Sequence, residues 1–254
     1  MNSTQNLDSR MVAASKILKL PTITSHYLEA AKNARRKDIT HESYLVHLLE
    51  QEAQLRQQKR IDRMLRESRL PLEKTLETFD RKRLPGKVNA QINVLVEGEF
   101  LKRTENILLF GNPGSGKTHL ICAIAHELIQ RGHRILFTPC SILVQQLLAA
   151  KKELALPKLL QRLLRFEALI IDDIGYVQQS REEMEVLFTL LAERYERGSV
   201  LLTSNLPFSK WEQIFKDPMT TAAAIDRLVH HSVILELNLS SYRLETSQQN
   251  KKSK

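Results

Sequence analysis

Cysteine, aromatic residues and long apolar runs are all scarce in this chain of 254 residues. Its two cysteines, Cys122 and Cys140, lie in apolar surroundings without the spacing of metal ligands, so we expect buried thiols rather than a disulfide or a zinc site. No apolar run approaches the roughly 20 residues that a membrane-spanning helix needs. Residues 1–16 lack the apolar segment of a signal peptide. We therefore expect a cytoplasmic protein without a membrane partner.

The charge of the chain is strongly one-sided. It has 38 lysines and arginines against 29 aspartates and glutamates, which gives a formal net charge of +9. Such an excess favours an anionic partner, most often nucleic acid, although a basic soluble enzyme has the same balance. Hydrophobic residues make up 42% and charged residues 26% of the chain, as in an ordinary globular protein.

Three parts of the chain differ in their residue pattern. Residues 1–80 have helical periodicity only, with Thr40 as a candidate cap for the longest helix. Residues 81–103 are basic and contain Pro85-Gly86. From residue 104 the pattern changes to short apolar runs that alternate with helical stretches. We expect a small all-helical N-terminal domain over 1–80, a basic linker over 81–103 that enters the core, and a larger domain over 104–254.

The larger domain contains five short apolar runs, and helical stretches separate them. The runs are residues 106–110, 134–139, 168–173, 199–205 and 232–237. This alternation predicts an α/β fold with a parallel sheet that is covered by helices on both faces. Ser180 and Glu183 form a capping-box pattern that predicts the start of the helix after the third strand.

A phosphate-binding pattern follows the first predicted strand. Residues 111–118 fit G-x-x-x-x-G-K-[ST], and the glycines allow backbone N–H groups to turn toward phosphate oxygens. The following helix adds the positive end of its dipole. We expect Lys117 to bind the β and γ phosphates and Thr118 to bind Mg²⁺. The predicted ATP contacts are Gly111, Asn112, Pro113, Gly114, Ser115, Gly116, Lys117, Thr118 and His119.

Polar side chains end the third and fourth predicted strands. Asp172 and Asp173 follow one buried run, where a carboxylate pair can bind Mg²⁺ through Asp172 and orient or deprotonate water through Asp173. Asn205 ends the next run and can contact the γ-phosphate or that water. The alternatives are that the acids only end a strand and that Asn205 only forms a turn before Pro207.

Arg227 lies in "AIDRLVHH", on a predicted helix before the last strand. It is either a solvated arginine or an arginine finger, a cation that contacts the γ-phosphate bound by a neighbouring subunit. The residue pattern by itself favours neither interpretation.

The stretches GNPGSGKTHL, LIIDDIG, LLTSNLPFSKW, AIDRLVHHS and SYRL resemble the IstB-like ATPases, which are AAA+ helper proteins of insertion-sequence transposition related to the helicase loader DnaC and the initiator DnaA. The resemblance covers essentially the whole chain. It implies an AAA+ P-loop fold with a five-stranded parallel sheet in the order 5-1-4-3-2. It also implies catalytic roles for Asp173, Asn205 as sensor 1 and Arg227 as finger.

Two departures from most AAA+ proteins stand out. Asp172 and Asp173 correspond to the Walker B pair of AAA+ proteins, and the second acid is aspartate instead of glutamate. This difference is consistent with slow hydrolysis and a switch rather than a motor. Few residues follow the last strand, so we expect no C-terminal helical lid, and Arg243 in "SYRL" then takes the sensor 2 role.

Two basic segments are candidate contacts for DNA phosphates. One is a stripe on the long N-terminal helix, and the other is the interrupted helix after the second strand. A basic stripe is either a solvated helix face or a phosphate-binding face. In the second case, binding to double-stranded DNA would be largely independent of sequence. The candidate residues are Arg56, Lys59, Arg60, Arg63, Lys151, Lys152, Lys158 and Arg162, with Arg66 and Arg165 beside them.

The resemblance and the motifs together predict an ATPase that uses ATP and Mg²⁺, forms homo-oligomers with ATP at subunit interfaces on duplex DNA, and assists a cognate transposase. The N-terminal helices are then a docking domain for a partner. A helicase loader of the DnaC type is the nearest alternative, and single-strand preference would distinguish it. A P-loop kinase of small molecules is a third interpretation, but it needs a lid and a substrate pocket for which the sequence has no signal.

Overall fold

A computed structural model describes residues 2–175, 180–215 and 217–242, with side chains from residue 6 onward. The chain divides into two compact units, Met1–Arg63 and Met64–Lys254. The division falls within the longest helix, and each unit is described by itself below. Among the described residues, no helix combines the length and apolarity needed to cross a bilayer.

The described secondary structure is as follows. The helices are α1 (Asn2–Ile17), α2 (Pro21–Arg36), α3 (His41–Ser68), α4 (Gly86–Leu95), α5 (Glu99–Lys102), α6 (Lys117–Gln130), α7 (Cys140–Lys152), α8 (Leu156–Leu163), α9 (Arg181–Arg194), α10 (Glu212–Phe215) and α11 (Pro218–Val229). The strands are β1 (Asn106–Gly111), β2 (Ile135–Pro139), β3 (Ala168–Ile174), β4 (Ser199–Ser204) and β5 (Ser232–Leu237). Short 3₁₀ turns cover Arg81–Arg83 and Phe208–Lys210.

A buried carboxylate organises the first unit. Glu52 of α3 accepts hydrogen bonds from the backbone N–H groups of Thr22 (2.8 Å) and Ile23 (3.2 Å) in the first turn of α2, and from Arg56 Nε (2.9 Å). Burial by itself would raise the pKa of Glu52, but these hydrogen bonds outweigh it and the pKa is lowered. A charged acid from one helix thus caps the N-terminus of another, because no side chain of the α2 cap position does so.

Residues 64–103 belong to the second unit and are largely helical. The predicted linker 81–103 is a 3₁₀ turn followed by α4 and α5, in which Ile92, Leu95 and Phe100 are buried. The segment is therefore part of the packed structure, because apolar side chains spaced along its two short helices have core to contact.

The predicted start of the longest helix is confirmed. Thr40 caps α3, since its Oγ1 accepts a hydrogen bond from the Ser43 N–H at 3.3 Å. The capping box of Ser180 and Glu183 likewise begins α9, with both of its reciprocal hydrogen bonds formed.

The sheet confirms the predicted fold. Its strand order is β2-β3-β4-β1-β5, which is the predicted 5-1-4-3-2 read from the other edge, and every pair is parallel. Leu108, Leu169 and Leu202 on one face join side chains of α7, α9 and α11 in a single apolar cluster. Successive residues of β4 and of β1 up to Phe110 are all buried, so helices cover both faces of the sheet.

The third strand contains a bulge at its carboxyl end. Ile171 pairs with Leu202 and Ile174 pairs with Ser204, so Asp172 and Asp173 together face the single residue Thr203. Asp173 has a φ of +65°, in the left-handed region that costs a non-glycine residue on the order of 1 kcal/mol. The bulge changes the direction of the two acids, which would otherwise point to opposite faces of a regular strand.

Arg194 ends α9 and is buried, with only 1% of its surface exposed. Its guanidinium donates to the carbonyl oxygens of Leu163 (3.0 Å), Phe166 (3.1 Å), Glu167 (3.3 Å) and Ser199 (2.9 Å). These carbonyls come from the connection before β3 and from the first residue of β4. Burial lowers the pKa of Arg194 to about 10, so the group stays charged at neutral pH. The Arg194 cation therefore holds in place the segments that lead into β3 and β4.

Arg194→Ala should lower the free energy of unfolding by roughly 3–5 kcal/mol, because it leaves several buried carbonyls without a donor. The urea midpoint of the full chain measures the change. Arg197→Ala is the matched control, since Arg197 is exposed and its ion pair among the described residues is with Glu193. This variant should change stability by less than about 0.5 kcal/mol. Equal midpoints for the two variants would contradict the role of Arg194.

Both cysteines are buried and not paired in a disulfide, as expected. Burial raises the pKa of the Cys122 thiol to about 12. The thiol is therefore protonated at physiological pH and unsuited to act as a nucleophile.

Candidate nucleotide-binding site

The phosphate-binding pattern forms the predicted loop between β1 and α6. Gly116 has a φ of +96° and caps α6, whose first backbone N–H groups face the loop. Lys117 Nζ donates to the carbonyl oxygens of Gly111 (2.9 Å) and Asn112 (3.0 Å). The Oγ of Ser115 is buried and has no partner among the described residues. The loop thus collects an ammonium group, a hydroxyl and a helix N-terminus at one point, which suits a polyphosphate.

Gly114 is required by a close approach of the chain that follows β5. It has a φ of +79°, and a Cβ there would lie 2.2 Å from the Oγ of Ser241. The backbone N–H of Tyr242 donates to the Gly114 carbonyl at 3.0 Å. The tail after the last strand therefore lies directly against the phosphate-binding loop.

Three side chains, one each from α6, β3 and β4, meet behind the loop. The Oγ1 of Thr118 donates to the carboxylate of Asp172 (2.9 and 3.1 Å). The Oγ1 of Thr203 donates to Asp172 Oδ1 at 2.7 Å and accepts from the backbone N–H of Asp173 at 2.7 Å. Hydroxyl and carboxylate oxygens are the ligands that Mg²⁺ prefers. The sequence predicted Thr118 and Asp172 for this position but did not single out Thr203.

Asp173 and Asn205 line the cleft beside the loop. Asn205 directly follows β4, and its Oδ1 is buried without a partner among the described residues. Ser204, one residue earlier, instead bonds the carbonyls of Ile174 and Leu206. Asn205 therefore lines the cleft, whereas Ser204 hydrogen-bonds within the fold.

The cleft has a volume of about 370 Å³, within the range of small-ligand sites. Residues 113–119 of the loop and first helical turn form one wall, which includes the predicted contact His119. The ring of His119 lies within hydrogen-bonding distance of Thr78 Oγ1 and the Thr75 carbonyl, both at 3.1 Å. A second wall comes from segments outside the sequence motifs: Lys74, Thr78, Phe79, Asp80, Arg83, Leu239 and Tyr242.

The segment around Phe79 and Arg83 (the leader of the core) and the tail after β5 meet at this wall. Arg83 donates to the carbonyl of Ser240 at 3.1 Å, and its guanidinium lies 5.3 Å from the centre of the Tyr242 ring. Residue spacing carries no signal for this contact, since the partners are far apart in the chain. Arg243, the predicted sensor 2 residue, lies outside the described residues.

Arg227 lies away from this cleft. It belongs to the last turn of α11, where its Nη1 donates to the Ala223 carbonyl (2.9 Å) and its guanidinium lies 4.9 Å from the Phe188 ring centre. Asn106, the first residue of β1, binds the neighbouring Leu228 carbonyl at 3.0 Å. The phosphate-binding loop follows the other end of β1, which at 3.3 Å per residue is roughly 17 Å away. Arg227 is thus not part of the cleft of its own chain.

The predicted DNA contacts are at the surface. Arg56, however, is bound to Glu52 and to the Lys19 carbonyl, so it has a structural role in the first unit. Lys151 lies 3.5 Å from Glu185. The other six side chains of the set are exposed: Lys59, Arg60, Arg63, Lys152, Lys158 and Arg162.

The donors of the cleft fit ATP and Mg²⁺. The unpartnered Ser115 hydroxyl and the N-terminus of α6 suit phosphate oxygens, and the Thr118–Asp172 pair supplies oxygen ligands for the metal. Gly114 and Gly116 both have positive φ in the loop where the backbone must curve around phosphates.

Comparison with known proteins decides the family. Residues 13–250 match the model of the IstB-like ATP-binding proteins. The chain belongs to this family. An insertion-sequence ATP-binding protein of Sinorhizobium fredii is 42% identical over 92% of this chain and 79% of its own length. The ATP-binding protein of insertion sequence IS21 from Pseudomonas aeruginosa is 39% identical over 90% and 86%. The resemblance predicted from the motifs is confirmed, and this IstB-like chain is an ATP-binding protein of the insertion-sequence type.

Solved structures confirm the AAA+ P-loop fold. The DnaC helicase loader aligns with a TM-score of 0.52 at 19% identity, over 59% of this chain and 88% of its own. DnaA bound to AMPPCP and single-stranded DNA aligns with a TM-score of 0.55 at 18% identity, over 73% and 56%. At this level of identity the likeness concerns the fold alone.

Thr203→Val should weaken Mg²⁺-dependent nucleotide binding about tenfold, because Asp172 then loses the hydrogen bond that orients its carboxylate. Thr203→Ser retains the hydroxyl and should bind almost as the wild type does. Titration with a fluorescent ATP analogue, with and without Mg²⁺, separates the metal-dependent part. If the valine variant kept wild-type affinity in Mg²⁺, the hydroxyl would have no part in the site.

Proposed function

We propose that this IstB-like protein hydrolyses ATP at interfaces between its own subunits while it is assembled on duplex DNA, and that it assists a transposase there. The observation that carries the proposal is the convergence of Thr118, Asp172 and Thr203 beside the phosphate-binding loop. The relatives encoded by insertion sequences support the transposition context, since they are named as ATP-binding proteins of such elements.

The residues of the cleft divide the chemistry among them. ATP supplies the phosphoanhydride to be cleaved. Thr118 and Asp172 would hold Mg²⁺, which would offset the charge of the phosphates. Lys117, now bonded to loop carbonyls, exchanges them for phosphate oxygens. Asp173 orients the attacking water and accepts its proton, and Asn205 holds the γ-phosphate or that water through its amide. The short side chain of Asp173 favours slow turnover, which suits a switch.

Arg227 completes the site of a neighbour rather than its own. Its position beyond the far end of β1 supports this role, because a cation must lie within a few ångströms of the γ-phosphate to stabilise charge there. The guanidinium would leave the Ala223 carbonyl and the Phe188 face when a second copy docks. ATP then holds two subunits together, and hydrolysis releases them.

Asp173→Asn should retain ATP binding but reduce the hydrolysis rate at least a hundredfold, since an amide cannot accept the proton of the attacking water. The variant should therefore remain assembled on duplex DNA. Phosphate release and DNA co-sedimentation measure the two effects. Wild-type turnover by this variant would contradict the role of Asp173. A wild-type protein that prefers single-stranded DNA would instead favour a helicase loader.

Arg227→Ala should bind ATP normally and lose DNA-stimulated hydrolysis. Lys117→Ala should lose nucleotide binding, but this variant still has the arginine at position 227. A mixture of the two inactive variants should regain part of the activity, because the ATP site of one subunit then faces the arginine of the other. Arg197→Ala is the control for loss of one surface arginine. No recovery at any mixing ratio would remove the finger role.

A further inference from the structure

A second groove lies in the larger unit, separate from the nucleotide cleft. It has a volume of about 410 Å³ and runs beside β2, the edge strand of the sheet. Its lining includes Leu136 and Thr138 of β2. Five arginines converge on it from the end of α3, the start of β2 and the region of α8, and we call it the basic groove: Arg66, Arg69, Arg134, Arg162 and Arg165.

The charge of the basic groove is nearly all of one sign. Glu67 is its single acidic lining residue, and it lies 3.3 Å from Arg134 Nη2. Arg69, Arg162 and Arg165 form no ion pair with any described residue. Guanidinium groups stay charged at every physiological pH, so the lining of the groove carries an excess of positive charge. The arrangement therefore favours a polyanion.

The groove has few features for binding a base or an apolar side chain. The guanidinium of Arg134 lies 5.2 Å from the centre of the Phe166 ring, so a face of this aromatic residue of the lining is already occupied. Leu143 and Leu163 are 1% and 3% exposed and form a closed floor. Protein interfaces rely on exposed aromatic and apolar anchors, and single-strand sites rely on free aromatic faces. Arginine forks match phosphate oxygens instead.

We propose that the basic groove binds the phosphodiester backbone of duplex DNA. This inference rests on the proposed function and assigns its DNA contact to one surface. It joins Arg162 and Arg66 of the two basic segments noted in the sequence with Arg69 and Arg134, which the sequence did not mark. Lys151, Lys152 and Lys158 do not line it. Contact with phosphates alone gives binding without sequence preference.

The test is a triple variant of the full chain, Arg69→Gln/Arg162→Gln/Arg165→Gln, assayed with ATP and Mg²⁺ on a labelled duplex. Its Kd at physiological salt should rise at least tenfold. Each lost phosphate contact reduces the slope of log K against log salt by about 0.9, so the slope should fall by roughly two to three. ATP-analogue binding should not change, and this verifies that the variant folds.

A matched control removes the same charge elsewhere. Arg131, Arg181 and Arg197 each pair with a glutamate outside the groove. Their triple glutamine variant should keep the wild-type Kd within about threefold. Arg69→Lys retains the charge and should bind duplex DNA more tightly than Arg69→Gln. These two single variants replace the triple variant in the test if the triple variant does not fold.

Three results would overturn the inference in different ways. If wild type binds duplex but the groove variant keeps its Kd and salt slope, the groove is wrong and the proposed function stands. If both triple variants lose affinity equally, net charge rather than the groove is responsible. If only binding of an acidic polypeptide such as polyglutamate is lost, the groove docks a protein. Wild type that binds no duplex with ATP would remove the proposed function as well.

Discussion

The candidate site depends on one hydroxyl group opposite a bulged strand. Thr203 is fully buried, and it donates to the carboxylate of Asp172 while it accepts from the backbone N–H of Asp173. In a regular strand two consecutive acids point to opposite faces of the sheet. The bulge and the left-handed backbone of Asp173 bring both to the same edge, and the hydrogen bonds from Thr203 offset part of the backbone strain.

The same edge explains why the nucleotide cleft draws on distant parts of the chain. Parallel strands all end on one side of the sheet, so the loop after β1, the acids of β3 and the amide after β4 meet there. The leader around Phe79 and Arg83 and the tail around Tyr242 form the remaining wall. Arg227 lies toward the opposite side, because a helix that precedes a parallel strand ends where strands begin. The proposed site shared between subunits is compatible with this polarity of the sheet.

Arginine serves the larger unit in two opposite environments. Arg194 is buried and donates to four carbonyls through Nη1 and Nη2, so its charge stabilises the connections into β3 and β4. The arginines of the basic groove are near the same α8 region, but they face solvent with a single acid among them. Arg194 has its partners within the protein, whereas Arg69, Arg162 and Arg165 form no ion pair with any described residue. These arginines count equally in the composition of the chain. Only their surroundings distinguish an arginine that stabilises the fold from one that is exposed in a groove.

Periodicity and motifs predicted much of this protein correctly. Alternating apolar runs and helices determined the parallel sheet, because burial on both faces demands continuous apolar strands, and the family resemblance supplied its strand order. The glycines and Lys117 determined the phosphate-binding loop, since a curved backbone beside a helix N-terminus is encoded locally. Helix starts at Thr40 and Ser180 were also readable, because caps depend on residues three apart.

Tertiary structure decided what local pattern does not encode. The position of Thr203 opposite the bulge depends on pairing between β3 and β4, and the Arg83–Tyr242 wall depends on residues far apart in the chain. The segment 81–103 has the charge of a linker, yet its apolar side chains find core to pack against. The basic stripe on α3 predicted a DNA contact for Arg56, but its guanidinium binds Glu52 within the first unit. Each of these outcomes depends on contacts between residues that are distant in the chain. A sequence motif predicts only interactions between residues that are close together in the chain.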